Sequence, residues 1–92
     1  RAATALAADF ADTVEPDAAT IALLDRQRAL RKRLASEAGV PPYVIFHDKT
    51  LAEMARRRPT SEAALLGISG VGQAKLERYG EAFLGEIRGE EG

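Results

Sequence analysis

The longest helical pattern in the chain covers residues 18–38. Its apolar residues recur at the spacing of an α-helix, so that one face of the predicted helix carries Leu23, Leu24, Leu30, Leu34 and Ala38. Asp17 precedes the segment and is a candidate N-cap, because its carboxylate can accept a hydrogen bond from the first turn. Gly39 follows it and fits the left-handed residue that commonly ends a helix. The pattern therefore predicts a first long helix, from about Ala18 to Ala38.

A short apolar segment follows two prolines. Pro41 and Pro42 prevent the first helix from continuing, and Pro42 suits the first turn of a new helix that ends near Phe46. The run Tyr43–Phe46 is apolar on nearly all sides, so we expect it to lie in the core. A β-strand is the alternative for such a run, but the sequence offers it no partner strand. We therefore predict a second, short helix.

The third predicted helix runs from Lys49 to about Arg57, with Asp48 as its N-cap. Its inward face is formed by Leu51, Met54 and Ala55. Pro59 ends this helix, since the residue before a proline avoids helical geometry.

A fourth, short helix is predicted to end at Leu66. Thr60 or Ser61 caps it, and its buried residues are expected to be Ala64 and Leu65. Residues 67–70 then form a glycine-containing turn.

The last predicted helix runs from Val71 or Gly72 to Arg88. Its apolar stripe consists of Leu76, Tyr79, Phe83, Leu84 and Ile87. Gly80 inside it costs about 1 kcal/mol relative to alanine, which suggests close packing at that position. The whole pattern predicts an all-α fold, a compact bundle of about five short helices.

The two ends of the chain differ from this body. Residues 1–16 are rich in alanine and acidic, and we interpret them as a linker or a loosely docked N-terminal extension. Residues 17–89 form the predicted helical domain, and residues 90–92 a frayed tail. The sequence begins and ends in linker-like composition, which suggests a module of a larger protein.

Composition excludes several kinds of site. The 92 residues include no cysteine and one histidine, so disulfides, thiolate–metal sites and multi-histidine metal sites are excluded. No apolar run approaches the roughly 20 residues that span a bilayer, and no signal peptide is evident. We expect a monomeric, cytoplasmic module without membrane contact.

Charge is distributed unevenly along the chain. Residues 21–78 hold eleven lysines and arginines against six acidic residues, whereas residues 1–20 and 79–92 are each net acidic. A basic body between acidic ends suits a polyanionic partner, or is simply a mixed, soluble surface. The overall net charge of −1 is lower than that of dedicated DNA-binding domains.

The turn at residues 68–72 is a candidate phosphate site. It has the form hydrophobic-x-Gly-hydrophobic-Gly, and Gly70 and Gly72 allow backbone amides to face outward at the start of a helix. Lys75 and Arg78 follow within two turns and would add positive charge. The alternative is a tight helix–helix turn in which the glycines only relieve steric conflict.

The basic residues of the predicted helices form further candidate contacts. On the first helix, Arg28 and Lys32 fall on one flank and Arg26 and Arg33 on the other, so they form no single stripe. Either one flank contacts a nucleic-acid backbone along its length, or both flanks are simply exposed to solvent.

The third helix carries Lys49 near its start and ends in Arg56, Arg57 and Arg58. Arginines at a helix C-terminus complement the helix dipole, and Glu53 can pair with Arg57 across one turn. These contacts suffice to explain the arginines, which would also form a local polyanion contact.

Two side chains near the second helix are also candidates. Tyr43 lies at the entry to that helix and either stacks on a base or belongs to the core with its hydroxyl at the surface. His47 and Asp48 are adjacent, but no nucleophile or third group completes a catalytic dyad. We therefore predict no catalytic residue.

Taken together, these segments resemble the HRDC domain, the helicase-and-RNase-D C-terminal module. The resemblance covers about Leu23 to Ile87 and rests on LRKRLA at 30–35, VPPYVIFHDKTL at 40–51, Met54-Ala55, Pro59 and GVGQAKLERYG at 70–80. The sequence is more similar to the domain in bacterial RecQ DNA helicases than to that in RNase D.

The resemblance implies a helical bundle with a helix-hairpin-helix-like turn and without catalytic activity. Such a domain binds single-stranded or branched DNA weakly and tunes substrate choice by the helicase in DNA repair and recombination. ATP and Mg²⁺ are then expected only in the helicase motor, and the location is the bacterial cytoplasm, at the nucleoid. The nucleic-acid-binding residues predicted from the chain are Arg28, Lys32, Tyr43, Lys49, Arg56, Arg57, Gly70, Gly72, Lys75 and Arg78.

The alternative function is regulatory. In that case the domain docks on the helicase core, or on another protein, through acidic surface.

Overall fold

The structure is a computed structural model that describes residues 17–89 of the protein. Five helices form this part. They are α1 (Ala18–Ala38), α2 (Pro42–Ile45), α3 (Asp48–Arg57), α4 (Glu62–Leu66) and α5 (Gln73–Arg88). No β-strand occurs within that range, so the predicted all-α bundle is confirmed. The predicted N-terminal extension, residues 1–16, and the predicted tail, residues 90–92, lie outside the described residues.

Helix α1 has the predicted caps at both ends. Asp17 accepts a hydrogen bond from the amide of Thr20 at 2.8 Å, and hydrogen bonding from Thr20 lowers the pKa of the Asp17 carboxyl. Gly39 adopts a left-handed conformation with φ of 70°. The amide of Val40 reaches back to the carbonyl of Ala35 at 3.0 Å, as in a Schellman motif. The chain therefore leaves α1 in a fixed direction.

Helices α1 and α3 lie antiparallel and are joined by polar contacts along their length. The buried amide of Gln27 donates to the carbonyl of Leu51 at 2.8 Å. One turn further along α1, Arg31 donates to the carbonyl of Phe46 at 2.9 Å and pairs with Asp48 at 2.8 Å. Because residues later in α1 meet residues earlier in α3, the two helices run in opposite directions.

The core lies between this pair and α5. It includes Leu30, Ile45, Phe46, Leu51, Met54, Leu65, Phe83 and Leu84. The rings of Phe46 and Phe83 meet edge to face with centroids 5.1 Å apart. Phe46 follows α2 directly, so this contact joins the α2–α3 junction to α5.

Helix α4 packs on α5 at Gly80, where close packing was predicted. A Cβ atom at Gly80 would lie 2.7 Å from Cδ1 of Leu76 and 3.7 Å from Cδ2 of Leu65. Leu65 is fully buried, so the missing side chain of Gly80 makes room for the contact between the two helices. Alanine at this position would displace Leu76.

Two predictions about buried residues were wrong. Tyr43 and Val44 are 59% and 40% exposed, and α2 buries Ile45, with Phe46 buried directly after it. A helix of one turn touches the bundle on one side only, so its other residues face solvent although they are apolar. Ala64 is likewise exposed, and α4 contributes Leu65 alone to the core.

The caps and ends of the helices required smaller corrections. His47, not Asp48, is the N-cap residue of α3, and Asp48 is its first helical residue, where a carboxylate also suits the helix dipole. Ala38 is exposed, and Ala35 is the buried alanine of α1. Helix α5 begins at Gln73, with Gly72 as its N-cap residue.

Candidate nucleic-acid interface

The turn before α5 is tightly packed on α3. Gly70 has φ of 96°, a conformation that side chains other than glycine rarely adopt. The hydroxyl of Thr50 donates to the carbonyl of Ser69 at 3.0 Å, and a Cβ atom at Gly70 would overlap that hydroxyl oxygen. The fold therefore needs glycine at position 70 for two separate reasons. The simple packing explanation is sufficient for Gly70.

Gly72 differs from Gly70 because packing does not require it. Its φ is −95°, and a Cβ atom there would meet no other atom within 4 Å. It occupies the N-cap of α5 without a side-chain hydrogen bond to the first turn. The first amides of this helix are therefore left for solvent or an anion.

Lys75 lies beside this helix start. Its ammonium nitrogen is 5.8 Å from the centroid of the Phe46 ring, and the side chain is half-buried. Because Thr50 holds the turn and Phe46 holds Lys75, the structure brings the turn, Lys75 and the α2–α3 junction to one corner of the bundle. We call this the turn corner, formed by Phe46, Thr50, Gly70, Gly72 and Lys75.

A second group of cations lies on the outer side of the α1–α3 pair. Helix α1 faces α3 through Gln27 and Arg31, and at 100° per residue Arg28 and Lys32 lie further round, away from α5. Helix α3 faces α1 through Asp48, and Lys49 and Arg56 lie further round α3, also on the side away from α5. We call this the outer face, formed by Arg28, Lys32, Lys49 and Arg56.

The four cations of the outer face form a row. The contact between Gln27 and Leu51 sets the register of the antiparallel helices. The order along the pair is then Arg56, Arg28, Lys49 and Lys32, and the row extends about 15 Å at 1.5 Å per residue. All four side chains are exposed, and none of them has an ion pair or hydrogen bond with a residue in 17–89. Asp25 lies on the same flank and forms no ion pair with Arg28 within that range either.

The opposite flank of α1 is different because its cations are paired. Arg26 approaches Glu86 of α5 at 3.4 Å, and Arg33 approaches Glu37 at 3.9 Å. The predicted separation of these four cations onto two flanks is therefore confirmed. The two cations of this flank have ion pairs within residues 17–89, and Arg28 and Lys32 have none.

The arginines at the end of α3 do not form one cluster. Arg57 pairs with Glu53 at 3.2 Å, as predicted. Arg58 has a left-handed backbone with φ of 51° and reaches back to Thr20 and Asp17 at the start of α1. Of the three arginines, Arg56 alone makes no side-chain ion pair or hydrogen bond with a residue in the range 17–89.

Arg78 and Tyr43 complete the predicted residues. Arg78 is exposed on α5, one turn after Lys75, and no described residue pairs with it. Tyr43 is 59% exposed and lies with its ring centroid 6.0 Å from that of His47. The contact with His47 was not predicted, because the chain between the two rings leaves the helical conformation at Phe46.

The described residues hold no group of three or more acidic, histidine or cysteine side chains that could bind a metal ion. Within the same range, no helix is long and apolar enough to cross a membrane.

Comparison with known proteins agrees with the motifs and the fold. A sequence model of the HRDC domain matches residues 21–87. The chain is 48% identical over 66 residues to the ATP-dependent DNA helicase RecQ of Bacillus subtilis, and equally so to RecQ of Haemophilus influenzae. It is 45% identical over 67 residues to the ATP-dependent DNA helicase UvrD2 of Mycobacterium tuberculosis.

These similarities cover most of the chain and little of each relative. They include 72% of this chain and 11% of either RecQ protein, and 73% of this chain and 10% of UvrD2. The chain thus spans about a tenth of the length of the relatives it matches. With residues 21–87 matched and the helices in place, the chain belongs to the HRDC domain family.

Proposed function

We propose that this domain is a non-catalytic accessory module of a RecQ-type DNA helicase. It binds single-stranded or branched DNA weakly and tunes which DNA structures the helicase engages in repair and recombination. The ATP and Mg²⁺ that power unwinding are held by the motor of the longer protein, in the cytoplasm at the nucleoid. The similarity to UvrD2 as well as to RecQ supports a role that different helicases can share.

The observation that carries this proposal is the row of cations on the outer face. A cation that already has a carboxylate partner gains little from a phosphate, because the partner must be given up. Arg28, Lys32, Lys49 and Arg56 have no such partner among residues 17–89. A phosphate backbone that follows the α1–α3 pair would displace only solvent and counterions from them.

The turn corner supports the same proposal from a second side. The uncapped first turn of α5 offers backbone amides to one phosphate, with Lys75 beside it and Arg78 one turn further. Lys49 lies next to Thr50, which holds the turn, and therefore links the corner to the outer face. A single strand that passes from the corner to the outer face would meet positive charge along its path.

The binding is expected to be weak and sensitive to salt. Contacts to phosphates by exposed cations give dissociation constants of roughly 10⁻⁴–10⁻⁶ M at physiological salt. The net charge of the whole chain is −1, so attraction depends on the local row and not on an overall positive field.

The test is fluorescence anisotropy of labelled single-stranded and forked DNA, titrated with the domain at several salt concentrations. We expect the logarithm of the affinity for single strands to fall with a slope of about −0.7 per phosphate contacted. Lys32→Gln should reduce the steepness by about one such contact and weaken binding roughly fivefold at low salt.

Arg33→Gln is the matched control. It removes one positive charge at the neighbouring position, but this side chain is paired with Glu37 on the other flank. It should leave both slope and affinity nearly unchanged. Equal effects of Lys32→Gln and Arg33→Gln would mean that binding responds to net charge alone, and the outer face would not be the interface.

A second candidate function is supported by exposed carboxylates on α4 and α5. On α5, Glu77 and Glu81 lie one turn apart and exposed, and on the adjoining α4, Glu62 and the 41%-exposed Leu66 face solvent. An apolar side chain near carboxylates suits a basic protein surface. In this alternative the domain docks on the helicase core and alters DNA affinity indirectly.

The DNA titration and a titration of the domain against an isolated helicase core together separate the two functions. If the isolated domain ignores DNA at low salt and high protein concentration, yet binds an isolated helicase core, the regulatory role replaces direct DNA binding. If it binds DNA and not the core, the accessory DNA-binding role stands.

A further inference from the structure

Two buried polar atoms lie one turn apart on the face of α1 that packs on α3. Within residues 17–89, Gln27 Oε1 and Arg31 Nε are the only buried side-chain oxygen or nitrogen atoms without a hydrogen-bond partner. The first is an acceptor, and the second carries a proton to donate. Buried polar groups in proteins are nearly always satisfied, either by the protein or by ordered water. The complementary character of these two atoms indicates that one molecule satisfies both.

The other polar atoms of both side chains are already engaged. Gln27 Nε2 donates to the carbonyl of Leu51 at 2.8 Å. Arg31 donates from Nη1 to the carbonyl of Phe46 at 2.9 Å, and its Nη2 lies 2.8 Å from the carboxylate of Asp48. A carbonyl only accepts, so the amide nitrogen of Gln27 must face Leu51 and Oε1 is turned elsewhere. Neither side chain can rotate to satisfy its remaining atom without losing a contact it already makes.

Helix geometry brings the two atoms close together. Residues four apart on a helix are neighbours, with Cβ atoms about 5–6 Å apart. Helical side chains also lean toward the N-terminus, so Arg31 leans toward Gln27. One water molecule bridges such a gap, because hydrogen bonds of about 2.8 Å and 2.9 Å join atoms up to about 5.7 Å apart.

The chemistry of the site selects its ligand. Gln27 is fully buried and the Arg31 side chain is 13% exposed, so bulk solvent is largely excluded. The guanidinium of Arg31 repels a cation, and the oxygen of Gln27 repels an anion. The ligand must therefore be neutral, small, and able both to accept from Nε and to donate to Oε1. Water meets these conditions, and proteins hold about one buried water per 27 residues.

We propose that one water molecule is bound between α1 and α3, where it accepts a hydrogen bond from Arg31 Nε and donates one to Gln27 Oε1. It joins the Gln27–Leu51 contact to the contacts of Arg31 with Phe46 and Asp48. The three contacts then form one continuous polar seam between the helices. The inference does not rest on the proposed DNA-binding function, because neither Gln27 nor Arg31 is a candidate DNA contact.

The first experiment detects nuclear Overhauser effects between water and the ¹⁵N-labelled chain. The sequence contains two glutamines, Gln27 and Gln73, and no asparagine, so its ¹⁵N spectrum holds two side-chain amide pairs. We expect the Gln27 pair to show a cross-peak to water with the sign of a long-lived contact. Gln73 is exposed and donates to Glu77 at 3.2 Å, so it is the internal control and should show only brief contact with surface water.

The second experiment repeats this measurement on Arg31→Lys. The lysine Cε takes the place of Nε, so the donor is removed while a cation remains for Asp48. The water cross-peak of the Gln27 amide should disappear, while the amide signal keeps its position because the bond to Leu51 is retained. The melting temperature should fall by about 4–8 °C, as for the loss of one hydrogen bond in a domain of this size.

Arg33→Lys is the matched control. It makes the same chemical change in an exposed arginine that is paired with Glu37, and it should keep the Gln27 cross-peak. Arg31→Lys also identifies the Arg31 Nε–H signal, which is the one it removes among the arginine side-chain signals.

Two results would overturn the inference. A Gln27 cross-peak that persists in Arg31→Lys would show that Nε does not hold the water. The absence of a long-lived water signal at both Gln27 and Arg31 Nε–H in the wild-type chain would show that no water is bound between them. If circular dichroism shows that Arg31→Lys does not fold, the wild-type Nε–H signal decides, because the proposal requires its own cross-peak to water. DNA titrations of the wild-type chain test the proposed function separately.

Discussion

The turn corner and the outer face are both candidate DNA contacts, yet they relate to the fold in opposite ways. In the corner, Gly70 and Thr50 hold α3 against the turn, and Lys75 lies on Phe46, which is part of the core. On the outer face, the side chains of Arg28, Lys32, Lys49 and Arg56 make no hydrogen bond or ion pair with residues 17–89. Substitution of Gly70 or Thr50 in the corner therefore changes stability and binding together, whereas substitution on the outer face can separate them.

The two surfaces also differ in whether the stability of the fold is enough to explain their residues. Gly70 and Thr50 in the corner are explained by packing whether or not DNA binds. Stability does not explain four exposed cations that have no ion-pair partner among residues 17–89, since isolated surface charges contribute little to it. The outer face therefore gives the stronger support to the proposed DNA contact.

The largest effect is expected in the corner, from Gly70→Ala. The substitution places a Cβ atom on the Thr50 hydroxyl and forces a side chain into a backbone conformation with φ of 96°. We expect a loss of about 3 kcal/mol in the free energy of unfolding, measured by urea denaturation.

Gly72→Ala is the control for the corner, because nothing lies within 4 Å of a Cβ atom there and φ is −95°. It should cost well under half as much. Equal losses at the two positions would show that the contact between Gly70 and Thr50 does not hold the turn.

An intermediate effect is expected on the outer face, from Arg56→Gln compared with Arg57→Gln. The two arginines are adjacent, but Arg57 is paired with Glu53 at 3.2 Å and Arg56 has no partner among the described residues. Arg56→Gln should weaken DNA binding about fivefold at low salt without lowering the melting temperature. Anisotropy titrations and thermal melting of the same samples check both parts.

Arg57→Gln should show the reverse pattern. It should have little effect on DNA binding and lower stability slightly, because exposed pairs of this kind contribute about 0.3–0.5 kcal/mol. If Arg57→Gln weakened binding as much as Arg56→Gln, the distinction between paired and free arginines would be wrong.

The smallest effect is expected from Asp25→Asn, and its sign is opposite. Asp25 lies on the flank of Arg28, where its carboxylate repels a passing phosphate. Removing the charge should increase affinity about twofold at low salt, with the gain disappearing as salt screens the interaction. Glu62→Gln, an exposed carboxylate on α4, is the control and should not change DNA affinity.

The helix ends could be read from the sequence because they depend on local signals. Gly39 takes the left-handed conformation that its position after α1 predicted, and Ser61 accepts the amide of Ala64 at 3.1 Å as a cap. Such signals act within a few residues, so they need no knowledge of the tertiary structure. The five helices were predicted correctly to within one or two residues at their ends.

Exposure within the short helices could not be read in this way. A four-residue helix such as α2 has no periodicity, and only the position of α1 and α5 decides that Ile45 is buried while Val44 is not. The pairing of cations was also hidden, because Arg26 and Glu86 are 60 positions apart in the chain. The candidate residues were therefore predictable by type, whereas their division into a turn corner and an outer face was not.

Gln27 is buried and is not a candidate residue, yet its hydrogen bond to Leu51 helps to fix how far α1 can slide along α3. A slip by one helical turn would move the two helices about 5.4 Å past each other and would leave this buried amide without its acceptor. The distance between the cations of α1 and the cations of α3 is therefore fixed for as long as this hydrogen bond is kept. A polar group in the interior thus fixes the distance between charged groups on the surface.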